Sequence, residues 1–288
     1  MESSFLTTVF LPLALFIIML GMGLGLTLND FKRVFIQPKS VILGLIAQLI
    51  VLPLIGFLLA MIFPLSPELA VGVMILAACP GGPTSNMVTY LVRGNVALSI
   101  TLTAISSLIT VFTIPIVVNL AMQKFIGEGV ALQLPFLKTV IQIAVITFIP
   151  VTLGMLLHRY TPQFATKVEK LVKWFSLFFL GLIIVGLLLK ERDNVPSFFL
   201  QVGGVTLTLN LLTMALGYAI AILGKLDESS AKAITVEVGI QNGTLAIAVA
   251  TTLLNSPTMA IPAAIYALLM FVTCGAFIGI VKNRRVKV

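Results

Sequence analysis

Ten acidic residues, one histidine, one tryptophan and two cysteines are all that this 288-residue chain carries of those types, and only 10% of it is charged. Each shortage removes a class of explanation. A water-soluble domain of this length does not carry so little charge. With one histidine, His158, at the end of an apolar run, there is no His cluster for a transition metal, and no Ser–Lys pair or buried His offers an intramembrane enzyme its machinery. Cys79 and Cys274 both lie in apolar sequence, which excludes a disulfide framework. What is present is apolar: 59% hydrophobic residues and a mean hydropathy of +1.15. The runs are long and continuous rather than alternating, so they read as helices and not as a membrane β-barrel.

Nine apolar segments emerge, at roughly 4–27, 40–63, 68–91, 95–122, 134–157, 171–189, 198–223, 230–254 and 258–281. The fold class expected is an all-α polytopic membrane protein of nine transmembrane helices in one integral domain. The first run lacks a preceding basic residue and a clear cleavage site, so it reads as a retained span. With the N-terminus outside, fourteen of the 18 basic residues fall on inside loops and four (Lys124, Lys138, Lys190 and Arg192) outside. The positive-inside rule then puts the C-terminus in the cytoplasm of a plasma-membrane protein. The net charge of +8 is spread over these short loops, which argues against nucleic acid.

Two segments are interrupted. The third contains Pro80-Gly81-Gly82-Pro83 followed by Thr84, Ser85 and Asn86. Proline removes a helix donor and glycine holds a helix weakly. The eighth contains "VEVGIQNGT", Val236 to Thr244. With nine spans these two run in opposite directions, one in each half, as in an inverted repeat built around crossed discontinuous helices. Irregular backbone inside a membrane is tolerated only where protein or water buries it. A half-helix starting near Thr84 presents free N–H groups and a positive dipole end to an anionic group, while Ser85 and Asn86 offer oxygens to a cation.

Glu237 is the one acidic residue well inside a span, about seven residues or roughly 10 Å along the axis. A carboxylate there costs several kcal/mol unless it is paired, protonated or bound to a cation. A sodium ion is the economical partner, and a protonated acid bonded between helices is the alternative. Gln241 lies one turn on, and Gly239 and Gly243 permit unwinding that frees the carbonyls of Val238 and Ile240. Gln241 and Asn242 can equally bond across helices. Gln48 lies near the middle of the second span, and Ser99 and Thr103 share a face of the fourth.

The stretches "GMGLGLTLNDFKRVFIQPKSVILGLIAQ", "CPGGPTSNMVTYLVRGNVALSITLTAIS" and "EVGIQNGTLA" resemble the bile acid:sodium symporter family, its bacterial members in particular. The resemblance implies a first sodium site at Ser85, Asn86, Ser99, Thr103 and Glu237. It implies a second at Gln48, Glu237 and Gln241 with the carbonyls of Val238 and Ile240. It also implies a panel domain (roughly 4–27 and 134–189) against a core domain (roughly 40–122 and 198–281) that holds the crossed helices. The substrate surroundings differ: Pro83 stands where bacterial members often carry threonine, and Leu269-Met270-Phe271 replaces a polar stretch of some members.

The function expected is therefore sodium-coupled symport of a small organic anion by alternating access. Sodium, about two ions, is the coupling ion, and no other cofactor is expected. The anion would sit near Pro83, Thr84 and Asn242, and its type stays open between bile acid-like, pantoate and 2-oxo acid substrates. A cation/proton antiporter or a proton-coupled anion carrier is the alternative on the same architecture, and an arsenite-type carrier using Cys79 is a more distant one. The sequence does not speak to oligomeric state.

Overall fold

The computed structural model describes residues 11–127, 135–190 and 195–283, and among these every regular element is a helix. Residues 4–10 of the first expected span, with Arg192, Arg284, Arg285 and Lys287, lie outside the described residues. The first run is α1 (Leu11–Leu24), and a 61° bend leads into α2 (Leu28–Ile36). Most of the stretch left between the first two expected spans is thus helical. The reason is local: the Asp30 carboxylate accepts from the backbone N–H of Thr27 at 2.8 Å and from its hydroxyl at 2.7 Å, which caps the first turn.

The second span is continuous over Pro38–Ile62, but its middle is not α-helical. Helix α3 (Pro38–Ile46) passes through a wide π-helical turn, Ala47–Val51, into α4 (Leu52–Ile62). Pro53 in the first turn of α4 has no N–H to offer the turn before it, and the π turn absorbs the mismatch. Gln48 lies in that turn. The third segment is broken into α5 (Pro67–Ala78) and α6 (Thr84–Leu91). Then follow α7 (Val96–Phe125), α8 (Phe136–Tyr160), α9 (Pro162–Lys190) and α10 (Val195–Leu223). Helix α9 starts well before residue 171, so Glu169 is helical rather than in a loop. The eighth segment breaks into α11 (Glu228–Gly239) and α12 (Gly243–Ala248), the latter running into a second π turn, Val249–Leu253. Helix α13 (Pro257–Asn283) closes the described chain.

By length and composition, five of these helices can cross a membrane, or six if the bent pair α1/α2 is one span. The expected nine also takes in the two broken segments and α9, which that criterion does not reach. Outward faces are apolar: Ile42, Ile46, Ile50, Leu54 and Leu58 form an exposed row every fourth residue down α3 and α4. Such a row is unfavourable in water and ordinary in lipid.

Helix α1 packs against α8 and α9. The approach to α8 is close: a Cβ on Gly23 would stand 2.1 Å from the Val151 carbonyl oxygen, and one on Gly154 would stand 2.4 Å from that of Leu20. Small residues at such a crossing let backbones meet, as in membrane helix pairs. The His158 Nδ1–H donates to the Leu24 carbonyl at 2.5 Å, tying α8 to the end of α1. The remaining elements gather around α5 and α11. Every residue from Leu69 to Ala78 and from Ser230 to Gly239 is buried. A helix enclosed on all sides can end in the middle of a membrane without showing its last carbonyls to lipid.

Candidate functional site

The two breaks meet. Gly81 and Gln241 form an antiparallel bridge. The Gly82 N–H donates to the Ile240 carbonyl at 2.9 Å and the Asn242 N–H to the Pro80 carbonyl at 2.9 Å. Chain that has left both helices therefore satisfies part of its backbone in the other break. This is what permits proline and glycine here at low cost.

Glu237, fully buried on the last turns of α11, faces α6 and α7 across this bridge. Its Oε2 accepts from Ser85 Oγ at 2.7 Å and from Ser99 Oγ at 3.1 Å, and its Oε1 accepts from Thr103 Oγ1 at 2.6 Å. Asn86 joins the cluster differently. Its Oδ1 is buried with no hydrogen-bond partner, an acceptor left free beside Ser85. Four of the five residues of the first expected sodium site are thus directly bonded together, and the fifth brings an unpaired oxygen.

The second expected set lies on the other side of the break. Gln48 Nε2 donates to Gln241 Oε1 at 2.8 Å and to the Cys79 carbonyl at 3.1 Å, and Gln241 Nε2 donates to the Val238 carbonyl at 2.8 Å. The Ile240 carbonyl is engaged by Gly82, so the unwound carbonyls are held rather than bare. The Ile240 carbonyl still has a second lone pair to offer, and that of Val238 also has the Thr213 hydroxyl at 3.4 Å. Gln48 Oε1 is buried without a partner. The three hydrogen bonds to Glu237 all come from the first set.

Of the residues expected near an anion, Pro83 and Thr84 line a cavity of about 350 Å³, together with Asn86, Tyr90, Thr103 and Glu169. The cavity lies between α1 and α9 on one side and α6 and α7 on the other. Asn242 does not line it. Asn242 caps α12 instead, its Oδ1 accepting from the Leu245 N–H at 3.0 Å, and its Nδ2 is buried without a partner. Glu169 on the cavity wall was not singled out by the sequence reading. Lys232, five residues before Glu237, is largely buried but paired with Glu228 at 2.6 Å.

A second polar group also escaped the sequence reading. Asn210 Nδ2 donates to the Gly239 carbonyl at 2.7 Å and to Tyr266 Oη at 2.9 Å, and Tyr266 Oη donates to the same carbonyl at 3.0 Å. The signal was available, since Asn210 is a lone amide in the apolar run "VTLTLNLLTMAL", as Gln48 is in its own span. Among the described residues no three His, Cys, Asp or Glu side chains come together as a metal centre. The chemistry gathered here is neutral oxygen around one carboxylate, which suits a hard monovalent cation.

The chain is similar to known proteins. The sodium bile acid symporter family matches residues 12–198. An uncharacterised sodium-dependent transporter of Bacillus subtilis (strain 168) is 35% identical over 90% of this chain and 78% of its own length. A probable chloroplastic sodium/metabolite cotransporter of Oryza sativa subsp. japonica is 33% identical over 86% of this chain and 59% of its own. Sodium/bile acid cotransporter 4 of Homo sapiens is 31% identical over 84% and 55%. The chain thus spans less than two thirds of the rice and human relatives. The family match covers more than half the chain and reaches the first break with its serines and threonines, so this protein is a member of the sodium bile acid symporter family.

Proposed function

We propose that this protein is a secondary active symporter that couples an inward sodium gradient to uptake of a small organic anion across the plasma membrane. The observation that carries the reading is Glu237: a fully buried carboxylate that draws three hydroxyls from two other helices at the meeting of two broken helices. The first ion takes Ser85, Asn86, Ser99, Thr103 and Glu237. The second takes Gln48, Glu237, Gln241 and the carbonyls of Val238 and Ile240. The unpaired Gln48 Oε1 and Asn86 Oδ1 support these assignments, because a buried acceptor without a donor is costly unless something cationic meets it. The relatives, a sodium-dependent transporter and a probable sodium/metabolite cotransporter by name, support the same ion.

The anion binds near Pro83, Thr84 and Asn242. The positive end of α6 and the unpartnered Nδ2 of Asn242 are the donors that suit a carboxylate. Pro83 and Thr84, though not Asn242, line a cavity of about 350 Å³, within the size range of small-ligand sites, and the anion's type stays open between bile acid-like, pantoate and 2-oxo acid substrates. Helices α1, α8 and α9 act as the panel that rocks against the core. The N-terminus faces outside. A membrane potential near 100 mV contributes about 2.3 kcal/mol for each net charge carried inward.

The test is thermal unfolding of the purified protein in detergent, in Na⁺ and in K⁺ at equal ionic strength, followed by a panel of organic anions in Na⁺. A sodium-specific rise in Tm, with a further rise from one anion class, is the expected result. Equal Tm in both salts removes the sodium reading, and a shift that follows pH instead supports the proton-coupled alternative.

A further inference from the structure

Val238, Gly239 and Ile240 are consecutive, and their three carbonyls leave the end of α11 just where its helix stops. All three are engaged: the Val238 carbonyl accepts from Gln241 Nε2 at 2.8 Å and that of Ile240 from the Gly82 N–H at 2.9 Å, but only the middle one takes both its donors from outside the two breaks. The Gly239 carbonyl receives two side-chain donors, Asn210 Nδ2 from α10 at 2.7 Å and Tyr266 Oη from α13 at 3.0 Å. Both its lone pairs are thereby filled. Asn210 and Tyr266 are themselves bonded at 2.9 Å, and both are fully buried. The same face of α10 carries Thr213, whose hydroxyl stands 3.4 Å from the Val238 carbonyl. It also carries Met214, against which a Cβ on Gly239 would stand 2.5 Å from Cγ.

This arrangement is not the one that would be chosen for stability alone. The Asn210 amide spends its nitrogen on the Gly239 carbonyl and on Tyr266, and its Oδ1 is left buried without a partner. An apolar side chain of similar size would avoid that orphaned acceptor. The benefit lies in what the clamp does to the chain. It removes the middle carbonyl from the ligand set and fixes the peptide planes on either side of it.

We propose that Tyr266 and Asn210 are positioning residues for sodium: by saturating the Gly239 carbonyl they aim those of Val238 and Ile240 at the second ion. The inference rests on the sodium-symport reading above, and neither residue need touch the ion. It predicts that the two residues set sodium affinity and leave anion affinity alone.

The experiment uses the full chain with Tyr266→Phe and Asn210→Leu, and titrates sodium by Tm and by uptake in proteoliposomes. Each variant is expected to raise the sodium midpoint about three- to tenfold, the worth of one buried hydrogen bond. The anion KM at saturating sodium should stay within about twofold. Asn210→Leu gives the sharper contrast. It removes two buried hydrogen bonds together with an unpaired oxygen, so its loss of Tm in K⁺ should be small and clearly less than its loss in Na⁺, a split that a merely structural contact cannot produce. An unmoved sodium midpoint in both variants, or losses of Tm that are equal in Na⁺ and K⁺, overturns the positioning role. A wild-type protein with no sodium-specific shift overturns the symport reading, and this inference with it.

Discussion

Gly81 lies so close against Glu237 that a Cβ added to it would stand 2.0 Å from Oε1 and 2.7 Å from the carboxyl carbon. The first break passes across the face of the acid that belongs to the second, and only a residue without a side chain fits between them. Gly81→Ala must either push the carboxylate away from Ser85, Ser99 and Thr103 or split the bridge between the breaks. The expected cost is about 1–3 kcal/mol of stability, with loss of the sodium-specific Tm shift. A variant that responds to sodium as the wild type does would show that the carboxylate is not the ligand.

Glu237→Gln keeps an oxygen and the shape of the side chain and removes the charge. Sodium-dependent stabilisation and sodium-driven uptake should both vanish, while the protein remains folded in K⁺. Normal sodium-driven uptake by the folded variant would sink the idea that one acid serves two ions.

Gln48 reaches both breaks at once, through the Cys79 carbonyl and the Gln241 side chain. Gln48→Leu is expected to raise the sodium midpoint about tenfold, the worth of a buried polar ligand. It should also bring the Hill coefficient of sodium-dependent uptake from above one down to one. A Hill coefficient that does not change would move Gln48 out of the second site.

Asn242 has two separable roles, a cap on α12 through Oδ1 and an unpaired donor in Nδ2. Asn242→Asp preserves the cap and replaces the donor with a negative oxygen. The anion KM should rise at least about tenfold with the sodium midpoint little changed. The opposite pattern would reassign Asn242 to the ion sites.

Asp227, in the loop before α11, caps that helix by accepting from the backbone N–H groups of Ser229 at 3.1 Å and Ser230 at 3.2 Å. Hydrogen bonds from Ser229 first, then Ser230, hold its carboxyl below the usual carboxylate value. A lowered value contributes stability above the unfolded pKa, and that stability is lost as acid protonates the folded form. Asp227→Ala should therefore cost about 1 kcal/mol at neutral pH, and the gap in Tm between variant and wild type should close as pH falls below about 4. A gap that persists in acid would assign the loss to something other than the charged cap.

Much of the site was legible because the membrane makes polar residues conspicuous. Glu237 and Gln48 stood out as single polar side chains in apolar spans, Pro80 to Pro83 as backbone that no helix runs through, and Gly239 and Gly243 as residues that permit unwinding. These are local properties, set by proline's missing donor and by the cost of burying charge in hydrocarbon, so the amino-acid order alone determined that two helices break and that an acid lies beside one break. It equally determined the helical class. It did not disclose the capped helix α2 at "NDFKR", because the Thr27–Asp30 bonds outweigh a stretch that looks like a charged loop. Nor did it disclose that Gln48 rides on a π turn, that Asn242 spends its oxygen on a cap, or that Glu169 faces a cavity. Asn210 carried the same local signal as Gln48, yet its meaning depends on Tyr266, 56 positions away. Which serine reaches the carboxylate and which side chains hold which carbonyl are relations between residues distant in the chain. Hydrogen bonds are short and directional, so only the packing of α6, α7, α10, α11 and α13 against one another decided them.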